Sequence, residues 1–108
     1  ADGGESWSAP QKTGIPNPNN KPKLLHLADG RIALLNTPDK RIGFNYRTCL
    51  SLWISGDGLK TFAYKRELLR FPGWLSYPDG FYDERDGRIK FAFELNRHDV
   101  YFVDCAIE

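Results

Sequence analysis

Ser-Gly-Asp-Gly-Leu-Lys-Thr-Phe occupies residues 55–62, between two segments in which apolar and polar residues alternate. An Asp-Gly pair in such a position is a strong signal for a β-hairpin, because glycine accepts the positive φ that a tight turn requires. The segment before it predicts a strand at 50–55, and the segment after it predicts a returning strand at 60–65.

Two more Asp-Gly pairs, Asp29-Gly30 and Asp86-Gly87, separate alternating segments in the same way. Only 66–70 has the composition of a helical turn, and it is too short to be stable alone. No long stretch shows helical periodicity, so the sequence predicts an all-β protein. The other predicted strands cover residues 23–27, 31–35, 76–82, 88–94 and 99–106.

The sequence contains an internal repeat. Asp29-Gly30-Arg31-Ile32 recurs as Asp86-Gly87-Arg88-Ile89, 57 residues later. The segment Asp2-Gly3-Gly4-Glu5-Ser6-Trp7 recurs loosely as Asp57-Gly58-Leu59-Lys60-Thr61-Phe62, 55 residues later. A period of about four strands is typical of β-propeller blades. Coincidence is the alternative, because Asp-Gly turns are common, but two landmarks at nearly the same offset favour a true repeat.

The 108 residues provide about two such blades, whereas a propeller needs at least four to close. We expect residues 1–65 to form one blade with its preceding connection, and residues 66–108 to form the next blade incompletely. Because the chain begins inside a repeat unit and without Met, we expect a fragment of a longer protein. Its exposed sheet faces would be covered by the remaining blades or by another copy of the chain.

Composition excludes several classes of function. Fifteen Lys and Arg residues against fourteen Asp and Glu give a net charge of +1, which argues against nucleic-acid binding by bulk charge and gives no reason to expect a membrane surface. Cys49 and Cys105 are too few for a disulfide scaffold or a zinc site by themselves. We therefore expect no metal, no other cofactor, no nucleic acid and no membrane partner.

Residues 55–62 resemble the Asp box, or BNR repeat, of the sialidase (neuraminidase) superfamily, Ser-x-Asp-x-Gly-x-Thr-Trp, with Leu59 in place of Gly and Phe62 in place of Trp. Asp2 to Trp7 is similar to the last six positions of a second box. The resemblance implies about two blades, in the C-terminal part of a six-bladed propeller that this fragment cannot close alone. The box is a structural turn that also occurs in non-enzymatic propellers, so it implies a fold and not an activity.

Three further segments resemble sialidase motifs in the family's order. The family's last arginine of the triad lies in a stretch that is similar to Arg47-x-x-Leu50-x-Leu52-x-x-Ser55. Its nucleophilic tyrosine lies in a stretch that is similar to Leu75-Ser76-Tyr77-Pro78. The stretch whose carboxylate steadies the first arginine is similar to Phe91-Ala92-Phe93-Glu94. The resemblance implies catalytic roles for Tyr77 and Glu94 and a substrate-binding role for Arg47. An arginine suits a substrate carboxylate, because its planar fork donates two parallel hydrogen bonds.

A tyrosine nucleophile has a physical reason in this chemistry. The anomeric carbon of sialic acid carries a carboxylate, which would repel an Asp or Glu nucleophile but not a neutral phenol. Pro78 predicts an extended backbone at Tyr77. Each candidate also has an ordinary structural reading: a surface ion pair for Arg47, a strand aromatic for Tyr77, and a solvated strand end for Glu94. Arg41 is an alternative to Arg47.

Strand parity predicts where these residues lie. The three Asp-Gly turns share one end of the sheets, here called the turn end, because successive connections of an up-and-down blade alternate between the ends. Arg47 and Tyr77 fall at the opposite end, here called the loop end, together with the 16–20 loop and the polar loop 96–98. Arg97 and His98 are the candidates in that loop for binding substrate hydroxyls, and a plain turn is the alternative.

The resemblance as a whole implies the C-terminal part of a sialidase-like glycoside hydrolase that cleaves terminal sialic acid or a related acidic sugar from a glycan, with retention of configuration. The alternatives are a non-catalytic propeller module that binds glycans or proteins, and a glycosidase for another sugar. No residue matches the family's general-acid Asp, its activating Glu or its other two arginines, so the isolated chain should be inactive. The resemblance favours a secreted, periplasmic or cell-surface protein over a cytoplasmic one.

Overall fold

The computed structural model describes residues 2–107, and within them two antiparallel sheets contain seven strands. The first sheet has the order β1-β2-β3-β4 and the second has the order β5-β6-β7. The all-β prediction is confirmed, and each sheet is unclosed, as expected for separate blades. The strands are β1 Lys23–His26, β2 Ile32–Asn36, β3 Cys49–Ser55, β4 Tyr64–Arg70, β5 Leu75–Asp83, β6 Arg88–Leu95 and β7 Asp99–Ala106.

The prediction for residues 60–70 is wrong in two respects. The fourth strand begins at Tyr64 and not at residue 60, because Lys60 and Thr61 belong to the turn that follows β3. Residues 66–70 are not a helical turn but the second part of β4, paired with β3 along its edge. The predicted division between blades at residues 65 and 66 therefore falls inside β4, and the sheets are separated by the connection from Arg70 to Leu75.

The core lies between the two sheets. Strict alternation in β6 buries every second side chain, and the matching face of β3 does the same with Leu50, Leu52 and Ile54. Burying a large apolar side chain contributes about 1.5–3 kcal/mol, so this layer is the main force that joins the sheets. The first strands of the two sheets also contact each other, and Lys23 Nζ lies 2.6 Å from the Asp79 carboxylate across that contact.

The repeated turn is visible in the backbone itself. Gly58 and Leu59 both have φ 72°, and Gly3 and Gly4 at the equivalent positions have φ 71° and 91°. In the complete box, the Asp57 carboxylate accepts the backbone N–H of Thr61 at 2.9 Å and its hydroxyl at 2.6 Å. In the N-terminal copy, Asp2 accepts the hydroxyl of Ser6 in the same way. The two copies therefore share the bond from a hydroxyl to the Asp carboxylate and a pair of residues with left-handed backbone.

A β-bulge interrupts β5 near its start. Ser76 pairs with Glu94 and Asp79 pairs with Ala92, so two residues, Tyr77 and Pro78, lie opposite one residue of β6. The extra residue changes the phase of the strand. Gly80 consequently faces the core opposite Phe91, where an added Cβ would lie within 2.5 Å of the Phe91 Cα.

The second sheet presents an uncovered apolar face on the side away from the core. Val100 and Phe102 of β7 are 74% and 69% exposed there. Apolar side chains on a sheet face normally pack against another layer, and no layer formed by residues 2–107 covers these two side chains. Within residues 2–107, no helix is long and apolar enough to span a membrane.

Candidate functional site

The structure brings Arg47 and Tyr77 together at the loop end. The β2–β3 connection carries Arg47, and the start of β5 carries Tyr77. The backbone N–H of Leu75 donates to the Arg47 carbonyl at 2.7 Å, which fixes the two segments side by side. The Arg47 guanidinium carbon lies 5.7 Å from the centre of the Tyr77 ring. The parity argument for these two residues therefore agrees with the geometry.

A short 3-10 helix, Phe44–Tyr46, positions Arg47, which follows its last residue. Side chains three residues apart lie on one side of a 3-10 helix, so Phe44 and Arg47 meet. The Arg47 guanidinium carbon lies 4.5 Å from the Phe44 ring centre. This helix was not predicted from the sequence, although the spacing of Phe44 and Arg47 is a signal that could have indicated the pair.

Arg47 is 4% exposed and has no carboxylate within ion-pair distance among residues 2–107. Its Nη1 donates to Ser76 Oγ at 3.0 Å and its Nη2 donates to the Asn19 carbonyl, whereas its Nε has no partner in the same part of the chain. A buried charge without a counter-ion is costly. The guanidinium of Arg47 therefore joins three segments at the loop end and carries a charge that no carboxylate of residues 2–107 neutralises.

Tyr77 occupies the bulge with φ 52°, in the left-handed region that non-glycine residues seldom adopt. The prediction that Pro78 holds Tyr77 extended is wrong, because the bulge overrides the preference of a residue before proline. The Tyr77 backbone N–H lies 3.4 Å from the Asn20 side-chain oxygen, and its side chain is 48% exposed. Such local strain is characteristic of functional sites.

Arg97 also lies at the loop end, in the turn of residues 96–98 between β6 and β7. Asn96 and Arg97 have φ 53° and 69°, and the His98 N–H lies 3.4 Å from the Leu95 carbonyl, as in a type I′ hairpin. Such turns prefer glycine at the second central position, which Arg97 occupies here. Its guanidinium carbon lies 5.0 Å from the Phe44 ring centre and 5.5 Å from that of Trp74.

Glu94 and His98 form no side-chain hydrogen bond, ion pair or ring contact with Arg47 or Tyr77 among residues 2–107. Glu94 is the cross-strand partner of Ser76, which accepts a hydrogen bond from Arg47, but its carboxylate forms no ion pair with an arginine among residues 2–107. The His98 side chain is 75% exposed, and its Nδ1 lies 3.6 Å from the Asp99 carboxylate. Both residues are at the loop end, and their roles remain predictions.

Arg41, the alternative to Arg47, forms an ion pair with a neighbouring residue. Its Nη2 lies 2.7 Å from the Asp39 carboxylate, and its guanidinium carbon lies 4.2 Å from the Tyr46 ring centre. The hydrogen bonds that Arg41 donates lower the pKa of Asp39 from 3.8 to about 2. Arg41 is therefore already neutralised within the chain, unlike Arg47.

Two asparagines that sequence reasoning did not single out connect the loop end. The Asn20 side-chain amide donates to Thr37 Oγ1 at 2.9 Å and to the Leu75 carbonyl at 3.0 Å. The Asn96 side-chain oxygen accepts the backbone N–H of Trp74 at 2.8 Å and so joins the start of β5 to the β6–β7 turn that carries Arg97. Their positions in loops carry no periodicity, so no sequence signal distinguishes them from ordinary turn formers.

The turn end holds an open cleft of about 350 Å³, lined by the two related Asp-Gly hairpins. The two arginines that line it are paired with acidic side chains of the chain: Arg31 Nε lies 2.7 Å from Asp29, and Arg88 Nε lies 2.5 Å from Asp104. Across the described residues, no group of three or more His, Cys, Asp or Glu side chains is arranged to hold a metal ion. The unneutralised cations of the loop end are the better candidate for ligand binding.

Comparison with known sequences identifies a family. The sequence model of the BNR repeat-like domain matches residues 1–90. The matched range includes both Asp-box copies, Arg47 and Tyr77, and it ends before Glu94. No curated protein and no solved structure gives a significant match to the chain.

Proposed function

Because the chain belongs to the BNR repeat-like domain family, we propose that it is the C-terminal part of a sialidase-like glycoside hydrolase. The proposed substrate is a glycan that ends in sialic acid or a related acidic sugar. The observation that carries the proposal is Arg47, a guanidinium that is buried beside Tyr77 without a carboxylate partner among residues 2–107. A substrate carboxylate would supply the missing counter-ion.

In the proposed reaction, Arg47 binds the sugar carboxylate and fixes the anomeric carbon near Tyr77. The phenol oxygen attacks that carbon, the bond to the leaving alcohol breaks, and the phenol proton passes to a base. Water then cleaves the tyrosyl-sugar bond, and the phenol regains its proton, so the configuration is retained. The base and the acid that protonates the leaving alcohol are assigned to no residue of this chain.

The remaining candidates have supporting roles in this proposal. Glu94 would steady another arginine of the carboxylate site from its place opposite Ser76. Arg97 and His98 would contact the substrate from the turn between β6 and β7. The 48% exposure of Tyr77 supports its role, because a nucleophile must be reached by the sugar.

A non-catalytic module that binds glycans or proteins is the second candidate. The observation that favours it is that both terminal nitrogens of Arg47 already donate hydrogen bonds, to Ser76 and to the Asn19 carbonyl. Such an arginine can hold a ligand carboxylate through its remaining N–H groups without taking part in chemistry. The two candidates differ in whether the Tyr77 hydroxyl matters.

Tyr77→Phe in the full-length protein separates them, because it removes the nucleophilic oxygen and keeps the ring beside Arg47. We expect sialoside hydrolysis to fall by several orders of magnitude while sialoside binding remains. Tyr46→Phe is the matched control, since Tyr46 lies in the same connection and packs against Arg41. An unchanged rate in Tyr77→Phe would reject the nucleophile role. Equal cleavage of neutral and acidic glycosides would reject the carboxylate site.

A further inference from the structure

The arginines of the chain fall into two groups. Five of the eight form ion pairs with acidic side chains inside residues 2–107, and three form none there. Two of those three, Arg47 and Arg97, lie against the same aromatic ring, that of Phe44. The paired arginines are Arg31 with Asp29, Arg41 with Asp39, Arg70 with Glu67, Arg85 with Asp83 and Arg88 with Asp104.

Phe44 connects two cations that come from different blades. The Arg47 and Arg97 guanidinium carbons lie 4.5 Å and 5.0 Å from its centre, and the Trp74 ring lies 5.6 Å from it. A guanidinium that lies over a ring uses its face for the cation–π contact and keeps the N–H groups at its edge for other partners. Phe44 thus orients two sets of donors without neutralising either charge.

Arg97 combines a left-handed backbone with a position close to a second positive charge. The backbone has φ 69° at a turn position where glycine is preferred, and a second positive charge lies on the same ring. Two cations close together without an anion raise the local positive potential and attract negative groups. Arg97 is exposed, whereas Arg47 is buried, so the two would reach different parts of one ligand.

We propose that Arg47 and Arg97 form a double anion site, with Phe44 as the spacer, for glycans that carry two negative groups. This inference rests on the proposed function: Arg47 takes the carboxylate of the terminal acidic sugar, and Arg97 takes a second anionic group on the neighbouring sugar. The second group is a carboxylate or a sulfate. The site thereby selects densely acidic glycans over those with one acidic end.

Equilibrium binding to the full-length Tyr77→Phe protein tests the site without turnover. The probes are lactose, monosialylated lactose, a disialyl oligosaccharide with two linked sialic acids, and monosialylated lactose sulfated on galactose. The central variant is Arg97→Gly, because glycine adopts the same φ without strain and keeps the turn. Phe44→Leu removes the spacer and leaves both charges, and Arg41→Gln is the matched control at the loop end.

We expect Arg97→Gly to weaken binding of at least one dianionic probe about tenfold more than binding of monosialylated lactose, since a charge-assisted hydrogen bond is lost only there. The probe that responds identifies the second group as carboxylate or sulfate. Phe44→Leu should reduce the same preference, and Arg41→Gln should not. Equal losses for monoanionic and dianionic probes in Arg97→Gly would overturn the double site alone. No preference of the parent protein for monosialylated lactose over lactose would overturn the proposed function, and the double site with it.

Discussion

At the turn end of the sheets, the Asp residues of the Asp-Gly hairpins are bound by neighbouring side chains of the chain. Asp57 is held by Thr61 and Ser55, and Lys90 Nζ lies 2.6 Å from the Asp86 carboxylate. At the loop end, Arg47 and Arg97 meet aromatic rings instead of carboxylates. The two ends belong to the same strands, so the difference does not arise from the fold.

Side chains that bind one another within the hairpins stabilise those hairpins. Arg47 and Arg97 have no acidic partner among residues 2–107 and are the proposed ligand-binding residues. A turn whose charges are internally paired gains stability and has little affinity left for other molecules. A buried or strained cation without a partner lowers stability unless a ligand compensates for it. The missing ion-pair partners of Arg47 and Arg97 among residues 2–107 therefore support the proposed site at the loop end, whereas the arginines that line the cleft at the turn end are paired.

The largest expected effect is that of Arg47→Met on sialoside binding. Loss of a buried, hydrogen-bonded charge should cost about 2–5 kcal/mol of binding free energy, which is roughly thirty-fold to several thousand-fold in affinity. Arg88→Met at the turn end is the matched control, because its partner is an acidic residue of the chain, Asp104. Calorimetric titration with a sialoside measures both. Similar losses in the two variants would remove the distinction between the ends.

A smaller effect is expected from Asp57→Asn on acid stability. Hydrogen bonds from Thr61 first, and then from Ser55, lower the pKa of Asp57 from 3.8 to about 2. Because the unfolded chain takes up a proton before the native state does, the stabilisation is complete above about pH 4 and is lost as the pH falls towards 2. Asp57→Asn should therefore cost more stability at pH 6 than at pH 2.

Urea denaturation at pH 2, 3, 4 and 6 measures this dependence. Thr61→Val is the matched variant, since it keeps the carboxylate and removes the hydroxyl that lowers its pKa most. Because its native pKa lies closer to that of the unfolded chain, we expect its acid-induced loss of stability to be smaller than in the parent protein and to be complete at a higher pH. A difference between parent and Asp57→Asn that does not vary with pH would show that the box does not depend on an ionised carboxylate.

The smallest effect is expected from Leu59→Gly, which restores the usual residue of the box. Leu59 has φ 72°, and the left-handed conformation costs a residue with a side chain about 1–2 kcal/mol. Part of this gain is offset, because Leu59 is half-buried and lines a cleft with Ile15 and Pro16. We expect a rise in Tm of a few degrees. A fall would mean that packing against the 15–16 segment outweighs the backbone strain.

Alternation and Asp-Gly turns predicted most of the strands and both ends of the sheets. They failed at residues 60–63, where Lys-Thr-Phe-Ala alternates like a strand although Thr61 is bound to Asp57. They failed again at 66–70, where an edge strand with exposed charges resembles a short polar helix in composition. In both places, local composition is compatible with two structures, and long-range pairing with β3 selects one of them.

The candidate site could be predicted only in part. Arg47 and Tyr77 stand in recognisable motifs, and parity placed them at one end. The role of Phe44 depends on a 3-10 turn and on the approach of the β6–β7 loop from the next blade, and neither follows from periodicity. The φ of Tyr77 is set by the pairing of β5 with β6, which overrides the local preference imposed by Pro78.

The bulge in β5 has an evolutionary consequence. Cross-strand pairing is regular on both sides of it, with Ser76 opposite Glu94 and Asp79 opposite Ala92. Deleting a single codon between them would leave those pairs in register, and it would turn position 77 into an ordinary strand residue opposite Phe93. One short deletion would thus replace the strained backbone at Tyr77 by regular pairing while preserving nearly all of the sheet.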